Sequence, residues 1–252
     1  MGPRGVFYTS FQFEPHFNLK KKNKGTIYLS GGGDADVTAG IDTQFLSNIR
    51  DKNILYIPIA KSADRNGYKK SYRWLVNKLG RLCDDQLTVT MALDLSVYTS
   101  IDKYSAVYIG GGNTYKLMAV MSKSGFSSIL KRYIYNGGVV YGASAGAVMM
   151  GKDISTFIED KYILENKKHN FIITKGMSLV GNYSILTHYN DGDSDKLRGY
   201  FRSNDNPIIA IPAGVALIVK NKSATVLGNK PVYILKKAAR PKRIAPNTEF
   251  VL

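Results

Sequence analysis

Read from its amino end, the chain alternates short β-branched and aromatic runs with longer stretches whose apolar residues recur at helical spacing. Thr26 to Ser30 predicts a first strand, and Asn53 to Ala60 a second that is nearly continuously apolar. A run without polar alternation is what a strand covered on both faces of a parallel sheet requires. Asp36 to Ile49 reads as a helix between them, and Tyr68 to Leu82 as another, with Tyr72, Leu75, Val76 and Leu79 on one face. Leu87 to Leu93 is a third strand; Ile101 to Tyr104 connects it to Ala106 to Ile109, a fourth. Two helices follow, Thr114 to Ser122 and Gly125 to Tyr135, the second stopped by Asn136-Gly137-Gly138, a helix-ending glycine signal. Val139 to Tyr141 is strand again, and a helix begins at Ser144. This alternation predicts an α/β fold, a three-layer α/β/α sandwich around a mostly parallel sheet.

The rhythm changes after Lys152. Asp153 to Ile173 is polar and mixed, Met177 to Val180 and Tyr183 to Thr187 read as short strands, and Asp191 to Phe201 as a helix. Ile208 to Ile211 is a strand before Pro212-Ala213-Gly214. Val215 to Val219, Ser223 to Leu227 and Lys230 to Lys236 resemble an antiparallel hairpin system at the sheet edge. The expected division is an aromatic arm over 1–24, one α/β domain over 25–237 and an irregular basic tail over 238–252.

Two glycine turns end adjacent apolar strands and so face one crevice of a parallel sheet. One is Gly110-Gly111-Gly112-Asn113-Thr114. The other is Gly142-Ala143-Ser144-Ala145-Gly146, the G-x-S-x-G composition of a nucleophile elbow, which lifts a serine hydroxyl above the sheet. A tight strand-to-helix turn without chemistry has the same composition. A serine needs a base within hydrogen-bond reach. Of three histidines, His16 precedes the first strand, His169 sits in a lysine-rich loop, and His188 ends an apolar strand. His188 is therefore the candidate base for Ser144. The N–H groups of Gly112 and Ala145, with Gly111 beside them, are candidates for stabilising an oxyanion. Asn113 either fixes its turn or meets substrate. The third glycine loop, Gly31 to Gly33, lacks both the G-x-G-x-x-G and the G-K-[ST] phosphate patterns.

These motifs, in this order, resemble the serine-peptidase family of aspartyl dipeptidase (peptidase E) and cyanophycinase, which has a class I glutamine amidotransferase-like fold. The resemblance runs from about Thr26 to about Leu235 and is carried by Ile109 to Leu117, Gly142 to Ala147 and Thr187-His188-Tyr189. It implies hydrolysis of small peptides, in the dipeptidase with an acidic first residue, by a Ser144–His188 acyl-enzyme mechanism. It also places the Gly31 to Gly33 turn on the rim of the crevice. One departure stands out. Where the family has a Pro-Glu-Gly turn orienting the histidine, this chain has Pro212-Ala213-Gly214. Glu159 and Asp160 occupy the other acidic position given that role, and Asp191 and Asp193 are further candidates. Loss of an orienting carboxylate can lower turnover by about 10⁴, so a catalytically impaired binding or regulatory protein on the same scaffold is the alternative. Arg198 and Arg202 are candidate cations for an acidic substrate, or solvated helix residues.

Composition adds limits. At 252 residues with 44% hydrophobic content the chain suits one α/β domain. No apolar run approaches the ~18–20 residues that span a bilayer, and Met1 to Lys24 lacks the apolar core of a signal peptide. The single cysteine, Cys83, excludes an internal disulfide and makes a cytoplasmic setting the simplest expectation. No His/Cys/Asp cluster has metal spacing, so no metal or cofactor is expected. The formal charge of +16, from 35 Lys and Arg against 19 Asp and Glu, would attract polyanions. Its two clusters, Lys20 to Lys24 and Lys236 to Arg243, lie outside the catalytic core, so specific nucleic-acid binding is not expected. A small peptide is the expected partner, with a homodimer left open.

Overall fold

A computed structural model describes residues 25–61, 65–83, 86–156, 173–190, 193 and 197–252. Eight strands form the main sheet in the order β12-β9-β8-β1-β5-β4-β2-β3. Its parallel part comprises β1 (Thr26–Ser30), β5 (Val139–Ala143), β4 (Ala106–Ile109), β2 (Asn53–Ile57) and β3 (Thr88–Met91). An antiparallel trio, β8 (Ala216–Lys220), β9 (Ser223–Leu227) and β12 (Glu249–Val251), extends it beyond β1. The β1 strand therefore lies inside the sheet, parallel to β5 on one side and antiparallel to β8 on the other.

Period-two alternation sorts the strand residues between two layers. On one face Tyr28, Ile54, Tyr56, Tyr108 and Tyr141 pack with α1 (Ala39–Ser47) and α2 (Arg65–Gly80) through Phe45, Leu46, Leu75 and Leu79. The Tyr108 and Tyr141 rings stack at 4.4 Å. Beneath them a buried ion pair joins Lys78 Nζ to Asp42 Oδ2 at 2.8 Å. On the other face Ile27, Leu29, Leu55, Ile57, Val107 and Ile109 meet α3 (Thr114–Lys123), α4 (Phe126–Tyr135) and α5 (Ala145–Val148).

The same apolar layer also receives a second sheet that the sequence pattern did not separate from the first. It has the order β11-β10-β7-β6, with β6 (Ser184–Thr187) parallel to β7 (Ile208–Ile211), and β10 (Val232–Leu235) and β11 (Lys242–Ile244) antiparallel to their neighbours. Ile185, Ile209, Ile211, Val232 and Ile234 bury themselves in the shared core. Leu186, Ile208 and Ala210 point to the outer face, covered by Leu197 and Tyr200 of α6 (Leu197–Ser203).

Three expectations change accordingly. The hairpin β8–β9 stands at the sheet edge, but β10 leaves it for the second sheet. The tail over 238–252 is not irregular: β11 and β12 complete one sheet each, because their main chains still find an open edge to pair with. Met177 and Val180 are buried, yet 177–180 forms no strand. The expected arm over 1–24, most of the expected mixed segment Asp153 to Ile173, and the start of the helix expected from Asp191 lie outside the described residues.

Candidate active site

The carboxyl ends of β1, β4, β5, β6 and β7 gather the residues that carry chemistry. After β5 the chain turns sharply into α5. A β-carbon on Gly142 would collide with the Gly146 carbonyl, and one on Gly146 with the Ile109 carbonyl. Glycine at both positions is what lets the turn close over β4. At its apex Ser144 holds φ 51° and ψ −110°, a conformation that a β-carbon disfavours. The Ser144 carbonyl starts α5 by accepting from the N–H groups of Ala147 and Val148 at 2.8 and 2.9 Å.

His188 follows β6, a strand of the other sheet. Its φ is also positive, at 56°, and the residue is exposed. The imidazole crosses to the main sheet, and Ser144 Oγ lies 2.9 Å from His188 Nε2. Which atom donates depends on the tautomer; with the proton on Nδ1, the hydroxyl donates to Nε2. The turn after His188 is closed by Asp193, whose Oδ2 accepts the Asn190 N–H at 2.9 Å.

Gly111 is the neighbour of Ser144 across the crevice: a β-carbon on it would stand 3.0 Å from Ser144 Cβ and 3.6 Å from Oγ. The flanking N–H groups of Gly110 and Asn113 donate to Ile57 and Ala60. Among the described residues, the N–H groups of Gly111, Gly112 and Ala145 have no main-chain acceptor of this kind. Asn113 is buried and caps α3, its Oδ1 accepting the Lys116 N–H at 3.1 Å. Through this oxygen Asn113 fixes the turn. Lys116 in turn reaches back across the crevice rim, donating to the Lys61 carbonyl at 2.6 Å and to Tyr68 Oη at 3.2 Å.

Ala213 lies in the turn after β7. The register Thr187↔Ile211 makes β6 and β7 end side by side, so His188 and the Pro212-Ala213-Gly214 turn are neighbours. The turn is tied to the end of β1 through Gly214 N–H donating to Gly32 O at 2.9 Å. Glu159, Asp160 and Asp191 lie outside the described residues. Arg198 is on α6, where only its backbone is described, and Arg202 is exposed on the same helix. Among the described residues no group of three or more His, Cys, Asp and Glu is placed to hold a metal ion. Nor is any helix there long and apolar enough to cross a membrane.

Below the elbow the environment is buried and polar. Burial pushes the Tyr141 hydroxyl well above its usual range, and the Asp42 charge adds to this. The Asp42 carboxyl is likewise pushed up by burial, against the opposing pull of Lys78. Nothing in the local pattern marks Asp42 or Lys78, since each is one charged residue on an otherwise ordinary helix.

A parallel α/β sheet that ends in a strained strand–serine–helix turn opposite a histidine is an architecture of hydrolases, and the comparisons narrow it to peptidases. The model of peptidase family S51 matches residues 26–227, and the chain belongs to that family. Peptidase E of Streptomyces coelicolor A3(2) is 25% identical over 160 residues, covering 60% of this chain and 63% of that protein. Peptidase E of Haemophilus influenzae PittGG is 24% identical over 210 residues, covering 82% and 88%. The fold is shared with a peptidase from an acI-B1 actinobacterium, at a TM-score of 0.68 and 17% identity over 92% of this chain and 99% of that one. It is shared too with a candidate peptidase E protein of Listeria monocytogenes EGD-e, at 0.61 and 22% over 81% and 98%.

Proposed function

We propose that this member of family S51 is a serine-type peptidase of small peptides, with Ser144 as nucleophile and His188 as its base. The observation that carries the reading is the 2.9 Å contact between Ser144 Oγ and His188 Nε2, made by a serine held at positive φ on a strand-to-helix turn. As Oγ attacks the peptide carbonyl its proton passes to Nε2, and the N–H groups of Gly111, Gly112 and Ala145 face the developing oxyanion. Collapse expels the amine, which takes the proton from the imidazolium and leaves an ester on Ser144. Water, deprotonated by His188, then releases the acid. Peptides with an acidic first residue are the first class to test, since the similar curated proteins named above are peptidase E. Arg198 and Arg202 are the candidate cations for them.

A second reading, a scaffold with impaired catalysis, is favoured by Ala213, which leaves the turn beside His188 without a carboxylate. Glu159, Asp160, Asp191 and Asp193 remain the candidates for that part. A fluorophosphonate separates the two readings, because it labels a serine only when a neighbouring base activates it. The expected result is labelling that maps to Ser144 and disappears in Ser144→Ala, together with cleavage of acidic dipeptides in a mass-spectrometric library screen. An unlabelled, correctly folded protein would support the impaired scaffold.

A further inference from the structure

Three consecutive residues at the end of β1 touch both members of the Ser–His pair. The Ser30 carbonyl accepts the Ser144 N–H at 3.1 Å, extending the β1–β5 pairing one step past Ser30↔Ala143. The next carbonyl, of Gly31, accepts the His188 N–H at 3.1 Å. The residue after that, Gly32, lies directly against the imidazole. A β-carbon on it would overlap His188 Cε1 and stand 2.8 Å from Nε2 and 3.1 Å from Nδ1. The segment is itself held on two sides, Gly31 N–H donating to Val215 O at 2.8 Å and Gly214 N–H to Gly32 O at 2.9 Å. One side chain enters this arrangement: Ser30 Oγ, on a residue only 1% exposed, accepts the Gly32 N–H at 3.2 Å.

We infer that Ser30-Gly31-Gly32 is a positioning segment for the Ser144–His188 pair, in which the bare α-carbon of Gly32 sets where the imidazole rests and the Ser30 hydroxyl holds Gly32 in place. The inference rests on the reading of Ser144 and His188 as the reacting pair. Two main-chain carbonyls one residue apart orient the two backbones, one from each sheet. What they leave undetermined is the rotation of the histidine side chain. The ring lies against the Gly32 α-carbon, and only a glycine leaves room for an approach so close. At φ +90° Gly32 also adopts a backbone shape that other residues rarely share. The Ser30 side chain bonds to Gly32 and so can tune this surface. Neither Ser30 nor Gly32 is a catalytic residue in this account, because neither meets substrate.

The tests are Gly32→Ala and Ser30→Ala, each measured by fluorophosphonate labelling rate and by the ¹⁵N resonances of the His188 ring, with Ser144→Ala as reference for a ring without its partner. In Gly32→Ala the added methyl meets the imidazole, and a backbone at φ +90° is strained by any β-carbon, so the ring is displaced from its resting place. A misplacement of about 1 Å can lower a rate by about 100-fold, and that is the loss expected, with the ring resonances moved toward those of Ser144→Ala. Ser30→Ala should move both readouts the same way by a smaller factor. It decides the matter if Gly32→Ala does not fold. Its urea midpoint is recorded alongside, because Ser30 also neighbours the buried Tyr141 hydroxyl. A fall in stability with unmoved ring resonances would make Ser30 structural only and overturn the inference, as would resonances unmoved in Gly32→Ala. If the parent protein is never labelled, the serine mechanism fails while the ring resonances still decide the positioning. If Ser144→Ala itself leaves the ring unmoved, there is no contact to position and the inference falls.

Discussion

Replacing Ser144 by glycine should make the protein more stable than replacing it by alanine, although neither variant keeps a nucleophile. Ser144 stands at φ 51° and ψ −110°, and residues held in such sparsely populated regions cost on the order of 1–3 kcal/mol. Ser144→Ala keeps the β-carbon and with it the strain; Ser144→Gly releases most of it. Both variants lose the hydrogen bond to His188, so that loss cancels between them. Against the relief stands the greater freedom of a glycine in the unfolded chain, about 0.4–1 kcal/mol. The balance is a stability gain of about 1 kcal/mol for glycine over alanine. For a chain of this size that corresponds to roughly 2–4 °C in Tm. Equilibrium urea unfolding of the two variants side by side measures it, with fluorophosphonate labelling absent from both. A glycine variant no more stable than the alanine one would mean that the turn does not strain Ser144. The argument that the elbow holds its serine against a conformational preference would then be wrong.

The buried ion pair, the elbow glycine and the turn after β7 make further predictions. Lys78→Met leaves the Asp42 carboxylate buried without its cation and should lower stability by about 3–5 kcal/mol in urea unfolding, whereas Asp42→Leu with Lys78→Met should recover most of the loss. The recovery should be most complete near neutrality, where the parent holds both groups charged against their shifts. Burial pushes the Asp42 carboxyl up, so its contribution holds at low pH and fades as pH rises through the folded value; Lys78 is pushed down, so its contribution holds at high pH and fades as pH falls. Stability measured from pH 4 to pH 10, at roughly unit steps, tests the shape, and a flat difference would refute it. Gly146→Ala drives a methyl into the Ile109 carbonyl, an overpacking that should cost about 1–3 kcal/mol and slow labelling of Ser144; an unchanged melt and rate would refute the close approach. Ala213→Glu should raise the labelling rate if His188 lacks a supporting carboxylate. A flat result, with slower labelling in Glu159→Ala or Asp160→Ala, would assign that support to the acid after the elbow.

The parallel half of the fold was legible because strands buried on both faces leave runs such as Asn53 to Ala60, in which every residue is apolar or nearly so. That Ser144 and His188 would meet was legible because few residue types suit a nucleophile and a base, and each follows a strand. The second sheet was not. Its strands are three or four residues long, and β11, Lys-Arg-Ile, joins through main-chain pairing while its first two side chains are exposed. Nothing in such a composition separates it from a basic tail. Met177 and Val180 show the converse limit, since hydrophobicity reported their burial but not a ladder to place them in. Glycines were read as close approaches without saying what approaches. The Gly31 to Gly33 loop read as crevice rim because the ring lying against Gly32 comes from a strand in the other sheet, far beyond any local pattern. The cap on α3 was within reach: an Asn just before a helical run is a favoured first cap residue.

Ser144 and His188, the candidate nucleophile and base, come from different sheets, and main-chain bonds to Ser30 and Gly31 tie both to the end of β1. Main-chain bonds survive side-chain substitution. An acid at position 213 would approach the imidazole from the β7 side and act on its tautomer and on the charge formed during attack; it would not be needed to bring Nε2 to Oγ. The 2.9 Å contact is therefore expected in an active enzyme and equally in a relative whose histidine has lost its carboxylate. Distance alone does not separate those two cases, and reactivity does. On the proposed mechanism, placement would rest on the end of β1 and basicity on an acid that position 213 does not supply. A family member can thus lose the second while the first stays intact, and the chemical state of His188, read by labelling of Ser144, is the quantity that distinguishes a working peptidase from a silent one.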